Sequence, residues 1–113
     1  MSALDGKRFR VVRNDGPGAE VDVGTAFAFT QQGDMVVAEY AGGGVRMGRL
    51  VGRIVDGRLL HGYVQVGTSG ELGTGRGDME IRVLADGRIQ LVDSWAWEDR
   101  SGRGLCILEE AQP

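Results

Sequence analysis

Residues 72–98 read LGTGRGDMEIRVLADGRIQLVDSWAWE. The first half alternates small or apolar residues with five polar ones, which are Thr74, Arg76, Asp78, Glu80 and Arg82. Strict alternation over this length is typical of a β-strand with one buried face. Ala85-Asp86-Gly87 then fits a three-residue hairpin loop with glycine in the left-handed position. The stretch predicts two long antiparallel strands, in which Trp95 lies opposite Gly77 and Trp97 lies opposite Gly75.

Turn sequences of this kind recur along the chain at short intervals. They are Asn14-Asp15-Gly16-Pro17-Gly18, Gln32-Gly33, Gly42-Gly43-Gly44, Asp56-Gly57, Ser69-Gly70, Asp86-Gly87 and Ser101-Gly102. The segments between them are rich in β-branched and aromatic residues, which predicts strands. The predicted strands cover residues 7–13, 25–31, 34–40, 45–55, 58–67, 72–84, 88–98 and 104–110. Because hairpin-length loops join all of them, we expect an all-β, eight-stranded antiparallel up-and-down barrel.

A β-sandwich is the structural alternative, but it would need longer Greek-key connections, which the sequence lacks. With 113 residues the chain has the length of one domain, over residues 1–113. Glycine is the compositional outlier, with 20 residues.

The composition also narrows the possible partners. The formal net charge of −3 provides no source for the counterion release that drives nucleic-acid binding. The single cysteine excludes an internal disulfide, and no cysteine or histidine set has metal-ligand spacing, so we expect no metal. No apolar run is long enough to span a bilayer, and Met1–Gly6 contains no apolar leader segment. We therefore expect no nucleic-acid partner, no membrane association and a cytoplasmic location.

Hairpin register, carried from turn to turn, predicts which side chains face the lumen. The starting point is the alternation of Phe27 and Phe29 with small residues in the second strand. The predicted inward residues of strands three to seven are Val36, Ala38 and Tyr40, then Val45, Met47, Arg49 and Val51, then Leu60, Gly62, Val64 and Val66, then Gly73, Gly75, Gly77, Met79, Ile81 and Val83, then Ile89, Leu91, Asp93, Trp95 and Trp97. In the first strand, Phe9 and Val11 are the candidates for the inward face. In the last strand, Leu105/Ile107 and Cys106/Leu108 are equally possible inward sets.

The predicted lumen is aromatic and methionine-rich, with Arg49 and Asp93 as its charges. Such an interior either is filled by its own side chains or holds one small ligand. The inward glycines leave volume, which favours a ligand. Arg49 and Asp93 would either form a structural ion pair or orient a polar group of the ligand.

His61 is the only histidine, and the register places it on the outer face opposite Asp78. Such a pair could act as a general base, but a surface ion pair is the favoured interpretation. Cys106 has no predicted histidine partner and is expected to be inert.

Several short motifs occur together in a characteristic order. They are Phe27-x-Phe29-x-Gln31-x-Gly33, Ala38-Glu39-Tyr40-x-Gly42-Gly43, Gly48-x-Leu50-Val51-Gly52, Asp86-Gly87-Arg88, Trp95-x-Trp97 and Glu109-Glu110. Their order resembles that of a family of small bacterial barrel proteins, similar in shape to avidins and lipocalins, which are often named N-acetylglutamate synthase. In size, fold and lumen character the chain also resembles the small barrel pericyclic cyclases of macrolide biosynthesis.

The second resemblance implies a cofactor-independent enzyme that binds a hydrophobic polyketide-type polyene and catalyses its cycloaddition. Such a reaction needs only a substrate held near the shape of its transition state. The expected catalytic residues are Arg49, Asp93 and Tyr40. The expected substrate-binding residues are Phe27, Phe29, Val36, Met47, Val51, Met79, Ile81, Trp95 and Trp97.

Two other functions remain open at this point. One is a non-catalytic carrier of a small hydrophobic ligand that uses the same lumen. The other is a filled barrel whose outer face contacts proteins. A homodimer through an outer apolar patch of Leu50 and Tyr63 is also expected.

Overall fold

Eight antiparallel strands close into a barrel in the computed structural model, which describes residues 3–111. The strands are β1 (Arg8–Asn14), β2 (Thr25–Gln32), β3 (Met35–Gly42), β4 (Val45–Val55), β5 (Arg58–Gly67), β6 (Leu72–Val83), β7 (Ile89–Trp97) and β8 (Arg103–Glu110). Each strand pairs with the next, and β1 pairs with β8 to close the sheet. The predicted all-β up-and-down barrel is confirmed. Residues 1, 2, 112 and 113, which the sequence assigned to the same domain, lie outside the described residues.

The β6–β7 hairpin has the predicted three-residue loop. The amide of Leu84 donates to the carbonyl of Arg88, and Gly87 has a φ of 90°. Gly77 therefore pairs with Trp95, and Gly75 pairs with Trp97. Ile89, Leu91, Asp93, Trp95 and Trp97 are all buried, so the predicted inner face of β7 is confirmed.

The first half of β4 contains an irregularity that the sequence prediction did not include. Gly42 pairs with Val45 but Tyr40 pairs with Gly48, so β4 contains one extra residue between these two pairs. A one-residue shift moves every following side chain to the other face of the sheet. The inward placement of Met47, Arg49 and Val51 was therefore wrong, and all three lie on the outer face.

A second shift follows at the β5–β6 connection. The amide of Gly67 donates to the carbonyl of Glu71, so the loop has three residues rather than the two predicted at Ser69-Gly70. The Asp56-Gly57 turn carries the β4 shift into β5, so the predicted inward set of β5, which was Leu60, Gly62, Val64 and Val66, was already wrong. The lumen instead receives Leu59, His61, Tyr63 and Gln65. The two shifts cancel, which is why the predicted inner face of β6 was right again from Gly73 to Ile81. The inward placement of Val83 was wrong, because this residue at the end of the strand is 73% exposed.

The strand order gives the barrel two distinct ends. We call the end that holds the connections 15–24, 43–44, 68–71 and 98–102 the upper end. The lower end holds the connections 33–34, 56–57 and 84–88 and the segment 3–7. Leu4 is fully buried at the lower end, where its amide donates to Oε1 of Gln31. Fully or nearly fully buried apolar residues pack this end, namely Phe9, Phe29, Val36, Leu59, Met79 and Leu91.

The structure also shows which residues of β8 face inward and which apolar residues lie on the outer face. Cys106 and Leu108 are buried, so they form the inward set of β8. Leu50 and Tyr63, predicted as an outer apolar patch, lie inside the barrel, and that placement was wrong. The exposed apolar residues of β3–β5 are instead Met35, Val37, Met47, Val51, Leu60 and Val64. Within residues 3–111, no helix is long and apolar enough to cross a membrane.

Candidate functional site

A cavity of about 40 Å³ lies at the upper end of the lumen. We call it the upper pocket. Its lining residues are Asn14, Ala19, Glu20, Val21, Phe27, Tyr40, Leu50, His61, Tyr63, Gln65, Asp93, Trp95, Trp97, Cys106 and Leu108. A buried water needs about 10–15 Å³ of such space, so the pocket has room for about three water molecules. It therefore suits a group of three or four non-hydrogen atoms.

Two aromatic groups form opposite parts of the wall. The rings of Phe27 and Tyr40 are stacked with their centroids 4.4 Å apart. Trp97 meets Trp95 edge to face at 5.9 Å and Tyr63 at 5.8 Å. These pairs follow from the barrel register, which pairs Phe27 with Tyr40 and sets Trp95 and Trp97 two residues apart on one face.

His61 and Asp93 form a buried pair deeper in the lumen. His61 Nε2 lies 2.9 Å from Asp93 Oδ1, and the two side chains are only 1% and 10% exposed. Gly77 separates them along the sheet, and a Cβ atom there would overlap both polar atoms. The volume that the sequence assigned to a ligand above Gly77 is therefore occupied by this pair. The acid predicted opposite His61 was Asp78, and this was wrong, because Asp78 contacts Arg58 on the outer face.

Other inward glycines are also covered by side chains of the chain itself. A Cβ atom at Gly48 would overlap Tyr40, and one at Gly75 would overlap Tyr63. The indole of Trp95 covers Gly16 rather than Gly77. The inward glycines thus make room for large lumen side chains, which explains why the remaining cavity is small.

The polar groups of the upper pocket are connected by hydrogen bonds. Tyr40 Oη donates to Gln65 Oε1 at 2.7 Å, and Gln65 Nε2 donates to Glu20 Oε1 at 3.0 Å. Trp95 Nε1 donates to Asn14 Oδ1 at 2.9 Å. Most buried polar groups in proteins are paired in this way. The exception among the described residues is His61 Nδ1, which is buried and has no partner.

The two tyrosine phenols and the cysteine thiol of the lumen stay protonated near neutral pH. Burial raises the pKa of Tyr40 and of Tyr63 far above its ordinary value, and the charge of Asp93 raises both further. Burial likewise raises the pKa of the Cys106 thiol to about 12, with Asp93 contributing. Cys106 is therefore a poor nucleophile, as expected from the sequence.

The structure brings part of the predicted site together. Tyr40, Phe27, Trp95, Trp97 and Asp93 line the upper pocket. Phe29, Val36 and Met79 are buried but belong to the packed lower end, and Ile81 is partly buried against the same core.

Three predicted site residues, all on β4, do not reach the lumen. Arg49 forms an ion pair with Glu39 at 2.9 Å on the outer face, so it cannot pair with Asp93. Met47 and Val51 are 50% and 63% exposed. Their placement in the site was wrong for the register reason given above.

The sequence prediction missed five lining residues that carry polar groups. They are Asn14, Glu20, His61, Tyr63 and Gln65. Asn14 is the last residue of β1, and Glu20 belongs to the connection between β1 and β2. The alternation of residues along a strand gives no information about such positions. A signal was present in β4, since Arg49 and Arg53 are four residues apart on one face of the strand, and two arginines on one face indicate that it is solvated.

Comparison with known proteins identifies a family. The model of the family described as "Avidin-like protein" matches residues 2–111. None of the curated proteins matches the chain. None of the solved structures matches it either.

Proposed function

Because the chain belongs to the avidin-like protein family, we propose that it binds a compact small molecule at the upper end of its lumen without transforming it. The single observation behind this proposal is the convergence of aromatic rings and polar groups on one cavity. Small-molecule sites in proteins commonly combine an apolar, aromatic wall with a few placed polar groups. The packed lower end offers no comparable arrangement.

The pocket volume limits the part of the ligand that can enter. About 40 Å³ accommodates a headgroup rather than a whole drug-sized molecule, which would need roughly 300 Å³ or more. The rest of such a ligand would lie at the upper rim, between the β1–β2 connection and the 98–102 connection. We therefore expect small fragments to bind measurably, and with weak affinity.

A fragment screen by ligand-observed NMR, followed by tryptophan fluorescence, tests the proposal. Trp95 and Trp97 both line the pocket, so bound fragments should change the emission. The variant Ala19→Leu adds bulk at the pocket lining and should abolish binding of these fragments. Ala26→Leu adds the same bulk on the exposed outer face of β2 and should leave binding unchanged.

Two results would contradict the proposal. One is a screen in which no fragment changes the tryptophan emission. The other is a fragment that binds the Ala19→Leu variant as tightly as the original chain, because this would place its site outside the upper pocket.

Cyclisation of a polyketide-type polyene stays a prediction from the sequence. A macrolactone is much larger than the upper pocket, so its entry would require the β1–β2 connection to move away. Incubation with a linear polyene macrolactone precursor, followed by mass spectrometry, tests this prediction. Product formation faster than in buffer would support a cyclase, and an unchanged rate would exclude one for that precursor.

The expected homodimer and the cytoplasmic location also stay predictions. The outer residues that could support self-association are Val37, Val51, Leu60 and Val64, in place of Leu50 and Tyr63. Light scattering coupled to size-exclusion chromatography measures the mass directly. A mass of one chain across the accessible concentrations would exclude the dimer.

A further inference from the structure

The described lining of the upper pocket contains acidic side chains but no lysine or arginine. Glu20 and Asp93 contribute two carboxylates to this lining. Asp93 accepts a hydrogen bond from His61, and Glu20 accepts one from Gln65, an uncharged amide. Glu20 therefore forms no direct ion pair within residues 3–111, although its charge also acts on Arg100 at the upper rim. A carboxylate beside a poorly solvated cavity attracts positive charge more strongly than one in water does.

The aromatic walls favour the same sign of charge. The faces of tryptophan, tyrosine and phenylalanine carry partial negative charge and attract cations. Trp97 already makes such a contact, because the guanidinium carbon of Arg100 lies 4.5 Å from its ring centroid. Arg100 is held there by Asp99 and Glu71 at the upper rim. This contact shows that the ring attracts a cation, but Arg100 already occupies it, so the aromatic groups of the pocket that stay open to a ligand include Tyr40 and Tyr63.

A buried hydrogen-bond acceptor adds an independent observation. Because the carboxylate of Asp93 can only accept, His61 Nε2 must carry the proton between them. In the neutral imidazole, Nδ1 is then an acceptor, and it has no partner among the described residues although the side chain is only 1% exposed. An unsatisfied buried acceptor is costly, and a ligand N–H group would remove that cost.

We infer that the upper pocket recognises an organic ammonium group, held by the Glu20 carboxylate, the aromatic rings of Tyr40 and Tyr63, and His61 Nδ1. The inference rests on the proposed binding function and specifies its ligand class. A primary or secondary ammonium fits best, because it supplies both the positive charge and the N–H donors.

The ionisation of the wall residues is consistent with this ligand class. Glu20 and Asp93 both raise the pKa of Tyr40, in addition to the larger effect of burial. The phenols and the thiol therefore do not become anionic at neutral pH, and the negative charge of the pocket comes from the two carboxylates. The Glu20 carboxylate is consequently the group to remove in an experiment.

Three probes of matched size and different charge test the inference on the full chain. They are propylammonium, 1-propanol and propanoate, each with four or five non-hydrogen atoms, close to the capacity of the pocket. Binding is measured by calorimetry and by tryptophan fluorescence at neutral pH. We expect propylammonium to bind about tenfold more tightly than 1-propanol, and propanoate to bind most weakly. The preference should decrease as the salt concentration rises.

The variant Glu20→Gln keeps the size of the side chain and removes its charge. It should weaken propylammonium binding about three- to tenfold and leave 1-propanol binding unchanged. Glu39→Gln is the matched control, because Glu39 lies on the outer face beside Arg49, and it should change neither affinity. Thermal unfolding of each variant establishes that the barrel is intact.

The outcomes separate this inference from the proposed function. If 1-propanol or propanoate binds as tightly as propylammonium, with the tryptophan signal retained, ammonium recognition is overturned and small-molecule binding stands. If none of the three probes binds while other fragments from the screen do, the same conclusion follows. If neither these probes nor any fragment binds, both proposals fail. The probe comparison uses the unaltered chain, so it holds even if Glu20→Gln does not fold.

Discussion

The two ends of the lumen differ in kind although the same strands build both. The lower end is packed with aliphatic and aromatic side chains, and Leu4, Leu59 and Leu91 there have no exposed surface. The upper end holds two tyrosines, a glutamine, an asparagine, a histidine and two carboxylates around a cavity. Burying polar groups costs free energy unless they are paired. The contrast assigns stability to the lower end and recognition to the upper end.

The hydrogen-bond pattern supports this division of roles. Tyr40, Gln65 and Glu20 satisfy one another, as do Trp95 and Asn14, so the upper end is ordered before any ligand arrives. Such preorganisation reduces the free energy that binding must spend on ordering side chains. His61 Nδ1 is the group that this network leaves unsatisfied.

The largest effect is expected from a cavity at the lower end. Leu91→Ala removes a side chain with no exposed surface and should lower the free energy of unfolding by about 2–5 kcal/mol. Chemical denaturation measures this loss. Fragment affinity of the folded fraction should stay unchanged, because Leu91 does not line the upper pocket. A Leu91→Ala chain that keeps its stability but loses its ligand would contradict the division between the ends.

A somewhat smaller effect is expected where the two ends meet. The added Cβ of Gly77→Ala would overlap the His61–Asp93 pair, so it should destabilise the chain by about 1–3 kcal/mol and separate the two side chains. The imidazole proton signals of His61 in NMR report on the pair. Gly62→Ala is the matched control on the neighbouring strand, because a Cβ atom there meets no atom closer than 3.8 Å. Equal losses in the two variants would refute the overlap.

A modest effect is expected from one hydrogen bond of the upper end. Tyr40→Phe keeps the ring stacked on Phe27 but removes the donor to Gln65, which should cost about 0.5–1.5 kcal/mol of stability. It should also change fragment affinity, because Gln65 is then free to reorient away from Glu20. Calorimetric titration with propylammonium measures the second effect. An unchanged affinity would show that this network does not position the binding groups.

The smallest effect is expected on the outer face. Arg49→Ala removes a half-exposed side chain paired with Glu39, and such surface pairs contribute about 0–1 kcal/mol. Fragment binding should not change at all. A large loss of binding would mean that Arg49 acts in the site after all, as the sequence prediction had it.

The register explains which parts of the site were predictable. Asp93, Trp95 and Trp97 were placed correctly because the loop at Ala85-Asp86-Gly87 has the length that its sequence indicates. Phe27 and Tyr40 were also placed correctly, since β2 and β3 pair without interruption. The residues of a turn fix which positions of its two strands lie opposite each other. When neither strand contains a bulge, this register is enough to predict which side chains face the lumen.

The register also explains the errors in β4 and β5. Both alternating sets of β5 contain apolar residues, so the pattern does not say whether Leu60 and Val64 or Leu59 and Tyr63 face inward. The choice depends on the extra residue of β4 near Arg46 and on the length of the loop after Gly67. The partnership of His61 with Asp93 joins β5 to β7 across β6, and no local pattern encodes it.

By itself, the sequence determined the number of strands, their antiparallel order and the inner face of β2, β3, β6 and β7, because turn residues and alternation act over a few neighbouring positions. Only the tertiary structure decided which polar groups share the upper pocket. Barrel closure brings Glu20, His61, Gln65 and Asp93 together from the β1–β2 connection, β5 and β7. The packing of whole side chains over the inward glycines, for example Tyr40 over Gly48, then decided how little space a ligand is left.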